Sequence, residues 1–359
     1  MNDRRFNLGF RIAGIAVLAA LCAACASTQA PTAESASASI RLAPTSPVGV
    51  ASSDRLSAQI ERLQEISGGR VGVGAIHLES GREYYFNRDE RFPMASAYKV
   101  PIAARLFDTI DRGELTLTQM IELRPEDIHP GSGTLSALFD DPGVALSIHN
   151  LTELMLLISD NSATDVLLRT VGGGRAVTDR LRAIGVEGID VSRPTIHLIA
   201  NSAGAADPPE GEEMTPQMYR DLRREMSQQD RRTAAERFNA DPRDTSTPEA
   251  MARLLQKIWS REILSEESSA QLLDIMYRCQ TGAARIKGLL PPGTRVAHKT
   301  GTLGQSTCDV GIIDLPGDAG HLVAAIFVKE ATESAANRER TIAEIARTLY
   351  DCFLLLEIE

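Results

Sequence analysis

A serine three residues ahead of a lysine opens the chemistry of this chain: Ser96 and Lys99, in Phe92-Pro93-Met94-Ala95-Ser96-Ala97-Tyr98-Lys99-Val100-Pro101. If a helix starts near Ser96, the two side chains share a face, and an alcohol and an amine come within reach of each other. Pro101 supports a helix start, because proline is tolerated in a first turn and breaks a helix interior. A serine at neutral pH needs a base to become a nucleophile, and a lysine serves when burial and a neighbouring cation lower its pKa. Lys299, in His298-Lys299-Thr300-Gly301-Thr302, is the candidate cation and would also attract a substrate carboxylate. Alone, the Ser-x-x-Lys pair is weak, since average residue usage yields roughly one such pair by chance in a chain this long.

Those residues need elements to hold them. Leu56, Ile60 and Leu63 recur at helical spacing over Asp54 to Ile66, and Arg70 to Leu78 alternates as a strand. Gly81-Arg82 turns the chain into a second strand, Glu83 to Phe86. Leu151, Leu154, Met155 and Ile158 mark a helix that stops at Ser159-Asp160-Asn161, and a new one follows, with Ser162 and Asp165 as its capping pair and Gly172-Gly173-Gly174 as its end. Ser159 and Asn161 therefore sit on a tight turn between two apolar helices. Residues 202–240 turn charged and read as an insertion, with a surface helix opened by Thr215-Pro216. Two amphipathic helices follow, around Met251 to Ile258 and from Ser265 to Met276. Strands at Val296 to Lys299, Val310 to Leu315 and His321 to Val328 precede a last helix, Thr341 to Leu355. Strands at both ends with helices between them describe an α/β sheet domain that hosts a helical insertion.

Ser-x-x-Lys, Ser-Asp-Asn and Lys-Thr-Gly, in that order, form the set that marks penicillin-binding proteins and class A β-lactamases. Over residues 54–358 the chain resembles this family, and Arg243-Asp244-Thr245-Ser246-Thr247-Pro248, Thr281-Gly282-x-x-Arg285-Ile286 and Leu290-Pro291-x-Gly293 are similar to further class A signposts. The resemblance implies an antiparallel sheet flanked by helices with an inserted all-α domain. The α/β part would be about 54–92 and 285–358, and the helical part about 93–284. It also implies Ser96 as the acylated nucleophile, Lys99 as its proton partner and Ser159 as proton donor to the departing nitrogen. Asn161 would hold the substrate amide, Thr300, Gly301 and Thr302 would line the substrate site, and the N–H groups of Ser96 and Thr302 would form the oxyanion hole. Arg193 and Asp244 match the ion pair that closes the family's loop. Asp160 braces the turn, and His298 points to the other face of the strand from Lys299.

The chain departs from the family at one position. Class A enzymes carry a water-activating glutamate in a Glu-x-x-Leu-Asn setting, and an ungapped count places Thr195 there. Three explanations stay open: a carboxylate from Glu210, Glu212, Glu213 or Glu236, His197 as water activator, or slow deacylation with an acceptor other than water. The expected activity is hydrolysis of β-lactams. The alternatives are a D-alanyl-D-alanine peptidase, transpeptidase or esterase, and a covalent β-lactam sensor or trap.

Bulk properties narrow the partners. The 359 residues are 43% apolar, enough for one large core, and the net charge of −10 argues against nucleic acid. Arg4, Arg5 and Arg11 ahead of the apolar run Ile12 to Ala24 form a secretory signal, residues 1–25, followed by a flexible linker over 26–53 rich in Ala, Ser, Thr and Pro. Export to the periplasm or medium is expected, either by ordinary cleavage after Ala26 or as a lipoprotein through Cys25. Cys279, Cys308 and Cys352 remain, an odd number that implies no disulfide framework. His77, His129, His149, His197, His298 and His321 show no metal-ligand spacing, and no Gly-rich phosphate loop is present. No cofactor, no metal and a monomer are the expectations.

Overall fold

The computed structural model describes residues 50–128, 131–139, 143–207, 214–225 and 227–355. The expected signal segment, most of the linker, and Glu210, Glu212 and Glu213 lie outside the described residues. The first helix, Val50–Gln64, begins inside the stretch expected as linker.

Five strands form one antiparallel sheet: β1 (Arg70–His77), β2 (Glu83–Phe86), β3 (Val296–Leu303), β4 (Ser306–Asp314) and β5 (His321–Lys329). Their spatial order is β2-β1-β5-β4-β3, so the two N-terminal strands add to the edge of a C-terminal meander. Val73 pairs with Phe86 on one side and Ile326 on the other, while Lys299 pairs with Val310. Both faces are covered, which is why β5 reads as a nearly continuous apolar run rather than an alternation. On one face Leu56 and Ile60 of the first helix and Ile345, Leu349 and Phe353 of the Ala335–Leu355 helix pack on Val71, Val73 and Ile326. On the other, Met251, Leu254 and Leu255 of the Pro248–Trp259 helix join the larger core. That approach demands small residues: a Cβ on Gly72 would lie 2.4 Å from the Phe92 ring, and one on Gly74 2.4 Å from the Pro248 carbonyl oxygen.

Two short ladders lie beside the helices of the inserted part. Phe92–Pro93 pairs with Thr245–Ser246, and Met120–Glu122 with Ala145–Ser147. The first of these short ladders ties the two crossings between sheet and helices together beside Ser96. Within 202–240 lie the helices Pro216–Glu225 and Gln228–Ala240. The second opens on Ser227, whose Oγ accepts from Asp230 N at 3.2 Å while the Asp230 carboxylate accepts from Ser227 N at 3.1 Å. It is more than a solvated surface segment, because Ala234 and Phe238 are buried.

Candidate active site

Ser96 does not open an α-helix directly. Ala95–Tyr98 forms one 3₁₀ turn, and the α-helix Lys99–Asp111 begins immediately after it. In 3₁₀ geometry residues i and i+3 eclipse one another, so Ser96 and Lys99 still share a face. Ala95 is held at φ +43°, in the left-handed region that a non-glycine residue occupies only when its surroundings enforce it. The enforcement is visible around its neighbour: Met94 N donates to Asp244 O at 3.1 Å, and Met94 O accepts from Ala97 N at 2.9 Å and from Cys308 Sγ at 3.1 Å. Gly301 presses on the same turn, since a Cβ there would stand 2.3 Å from Met94 O. The third motif thus abuts the first through a contact only glycine allows.

Lys99 is fully buried, and its Nζ donates to Ser159 O at 2.7 Å, Ser159 Oγ at 3.1 Å and Asn161 Oδ1 at 2.9 Å. Lys299, equally buried, donates to the same Ser159 Oγ at 3.0 Å and to Thr300 O at 2.9 Å. One hydroxyl is therefore shared by two amines. Burial, and then the charge of Lys299, hold Lys99 well below the usual lysine range against the opposing pull of Asp165 and Asp160. Burial likewise brings Lys299 down to about 8. A neutral Lys99 would keep two N–H donors for Ser159 O and Asn161 Oδ1 and turn its lone pair to a hydroxyl. Ser96 is half-buried, and among the described residues its Oγ has no hydrogen-bond partner.

Ser159 is set by a strained turn, at φ +62° between the Ile148–Leu157 and Asn161–Thr170 helices. Asp160, rather than Ser162, caps the second helix, accepting from Ala163 N at 3.0 Å. Its other oxygen accepts from Thr134 N and Leu135 N at 2.7 and 2.9 Å, which fixes that segment against the Ser159 turn. Capping by Asp160 leaves the Asn161 side chain for Lys99.

The segment after Val191 is closed by charge. Arg193 Nε donates to Asp244 Oδ2 at 2.6 Å, and its Nη1 reaches Asn201 Oδ1 and Asp241 Oδ2 at 2.8 and 3.0 Å. Burial pushes the Asp244 carboxyl up even against the Arg193 guanidinium, so the pair gains little over an apolar filling, yet losing one partner is costly. Arg193→Ala strands a carboxylate that is 2% exposed. We expect it to destabilise the fold by about 3–5 kcal/mol in denaturant unfolding; a change below ~1 kcal/mol would reduce the pair to the rank of a surface bridge.

Within that loop, Thr195 begins the helix Thr195–Ser202. Its N–H and that of Ile196 donate to the Asp165 carboxylate at 2.6 and 3.1 Å, and its Oγ1 lies 2.5 Å from Tyr98 Oη in full burial. The Thr195 side chain is thus locked against the residue preceding Lys99. His197 Nε2 accepts from Met214 N at 3.1 Å, a contact that a water activator working through that nitrogen would have to give up. Glu236 is exposed on its helix. Tyr98 carries no motif signal beyond its place beside Lys99, and Asp165, expected to cap its own helix with Ser162, instead holds the start of the Thr195–Ser202 helix.

At the end of β3, Thr300 Oγ1 lies 2.6 Å from Thr281 Oγ1, and Thr302 Oγ1 accepts from Arg285 Nη2 at 2.6 Å. Arg285 Nη1 also donates to Gly301 O and Cys308 O, both at 3.0 Å, buttressing the strand from behind. His298 faces away from the Lys99 cluster; its Nδ1 pairs with the Asp309 carboxylate at 2.9 and 3.0 Å.

An antiparallel sheet flanked by helices, with a serine turn, a Ser-Asp-Asn turn and a Lys-Thr-Gly strand end brought together, defines a protein of the β-lactamase class. A model of the β-lactamase enzyme family matches residues 55–353. The chain belongs to that family and is a hydrolase. It is 31% identical over 85% of its length to β-lactamase VEB-1 of Pseudomonas aeruginosa, covering 92% of that protein, and 30% identical over 84% to the extended-spectrum β-lactamase PER-1 of the same organism, covering 88%. Among solved structures it resembles the TLA-1 extended-spectrum β-lactamase with a TM-score of 0.70 at 28% identity, covering 84% of this chain and 99% of that one. An ancestral class A β-lactamase superposes with a TM-score of 0.68 at 31% identity, with 82% and 99% covered.

Proposed function

We propose that the protein opens β-lactams by acylation of Ser96 and releases the product slowly, so that the acyl-enzyme accumulates. The observation that carries this reading is the single Ser159 hydroxyl set 3.1 Å from Lys99 Nζ and 3.0 Å from Lys299 Nζ. Neutral Lys99 takes the Ser96 proton, and Oγ adds to the lactam carbonyl carbon. The oxyanion is met by the N–H groups of Ser96 and Thr302. As the C–N bond breaks, Ser159 delivers a proton to the nitrogen and draws another from its amine neighbours. Lys299, Thr300 and Thr302 receive the substrate carboxylate, and Asn161 the side-chain amide. Release needs a base for water, and the position where the class A resemblance places the water-activating glutamate holds the Tyr98–Thr195 hydroxyl pair instead. Lys99 is then the base at hand for both halves. The enzyme acts on small substrates outside the cytoplasm, consistent with the signal-like N-terminal residues.

A chromogenic cephalosporin should give a burst close to one equivalent, followed by a slow steady state, with the adduct mapped to Ser96 by mass. Absence of any Ser96 adduct would sink the proposal. The Thr195 substitution favours one second reading, transfer of the acyl group to an amine instead of water. Release of D-alanine from a D-alanyl-D-alanine peptide faster than cephalosporin turnover would select it.

A further inference from the structure

Behind the substrate strand lies a second set of groups that the acylation scheme does not use. His298 is fully buried, and while its Nδ1 is engaged by Asp309, its Nε2 has no hydrogen-bond partner of ordinary geometry. Cys279, just past the Glu266–Tyr277 helix, stands beside that ring and is 7% exposed, between the exposed residues Arg278 and Gln280. Its Sγ lies 3.3 Å from Thr281 Oγ1, which in turn lies 2.6 Å from Thr300 Oγ1. A carboxylate, an imidazole, a thiol and two hydroxyls thus run in sequence from Asp309 to the substrate site.

We infer that Cys279 is a covalent modification site for small electrophilic sulfur compounds, activated by His298 and Asp309, and that its occupation weakens binding at Thr300. The thiol is faced by His298 from β3, with Asp309 of β4 acting through that ring, and by Thr281 from its own segment, and it feels the charge of Lys299 from the opposite face of β3. Burial alone would raise the Cys279 thiol; the adjacent His298 ring, then the charge of Lys299, bring it down to about 7. His298 is held up at about 9, its burial outweighed by Asp309. The two other described thiols lack this setting. Cys308 is pushed up to about 12 by burial and is engaged with Met94 O, and burial also raises Cys352. A thiolate paired with a protonated imidazole is the form that attacks sulfur. With methyl methanethiosulfonate, the Cys279 proton is lost to solvent, the protonated His298 holds the thiolate's charge, and Sγ attacks the sulfenyl sulfur. An S–S bond forms to an S-methyl group, and the reagent's S–S bond breaks to release methanesulfinate. The added group occupies the space between Cys279 and Thr281 and breaks the hydroxyl contact that orients Thr300. This last consequence rests on the substrate role proposed for Thr300; the modification itself does not.

The test treats the full chain with methyl methanethiosulfonate at pH 7 and follows labelling by peptide mass. Cys279 should be labelled at least ~10-fold faster than Cys308 and Cys352, and His298→Asn should slow it at least ~10-fold. Equal labelling of Cys279 and Cys352, or a rate indifferent to His298→Asn, would overturn the inference. If that variant does not fold, the wild-type pH profile decides. A rate that levels off near pH 7.5 supports activation, whereas a rise continuing through about pH 8.5 marks an ordinary thiol and overturns it. Labelled protein should acylate with benzylpenicillin at least ~5-fold more slowly, recover with dithiothreitol, and Cys279→Ser should ignore the reagent; unchanged acylation after full labelling would overturn the coupling to Thr300. Unlabelled protein that never acylates would instead count against the Ser96 proposal, and the labelling rates would still decide the thiol site.

Discussion

Lys99→Met should slow acylation by about 10²–10⁴-fold, the range general-base catalysis supplies, or roughly 3–5 kcal/mol of barrier. Methionine fills most of the lysine side chain's volume and has no basic nitrogen, so the loss reports mainly on the amine rather than on a cavity. The wild-type rate of adduct formation should follow a bell against pH. Its rising limb is the loss of the Lys99 proton, which burial and Lys299 bring well below the pH at which a free lysine titrates. Its falling limb is loss of charge at Lys299, centred near 8, which removes the carboxylate's partner and the cation that depresses Lys99. In Lys99→Met the rising limb should vanish and the falling limb remain. Stopped-flow cephalosporin bursts between pH 5 and pH 10 would measure both. A variant with an unaltered rising limb would transfer the base to another group. Near-UV circular dichroism controls for the fold, because Ser159 O and Asn161 Oδ1 each lose a donor.

The second large effect is a gain. Thr195→Glu combined with Tyr98→Phe should speed release of the acyl-enzyme by about 10²-fold or more and leave acylation within ~3-fold of wild type. Both substitutions are needed, because the hydroxyls of Tyr98 and Thr195 are 2.5 Å apart and leave no room for a longer side chain. Neither hydroxyl is a base near neutrality: burial holds the Tyr98 phenol well above its usual range, and threonine does not ionise. The new carboxylate would stand on the first residue of the Thr195–Ser202 helix, where the amide ends favour negative charge. The charge of Asp165 beneath the loop would oppose this and keep the glutamate basic enough to accept a proton from water. The burst should disappear into a faster steady state. If the double variant acylates normally and still stalls, the missing carboxylate does not limit turnover.

Much of this protein is legible from local pattern. The turn at Gly81-Arg82 yields the Glu83–Phe86 strand at its observed bounds, β5 emerges within one residue of its own, and the helices around Leu151 and Met251 emerge within a few residues of theirs because burial of a helix face leaves a period in the chain. Local pattern misleads where two local choices compete. Ser162 and Asp160 both suit a helix cap, and the backbone chose Asp160, whose other oxygen also holds Thr134 and Leu135. The spacing of Ser96 and Lys99 points to plain α-helix at the serine turn. Its 3₁₀ form depends on pressure from Gly301 and Cys308, which lie about two hundred residues further on.

The amino-acid order by itself determined the reactive groups, their spacing along the chain and the absence of glutamate at Thr195, since these are matters of covalent sequence. Tertiary structure alone decided what fills that absence and which residues touch: Tyr98 against Thr195, Asp165 beneath the loop, His197 bound to Met214, and Cys279 beside His298. Such contacts join segments with no shared period. They exist because burial brings distant hydroxyls, amines and thiols into one low-dielectric space, where each must find a partner or change its protonation.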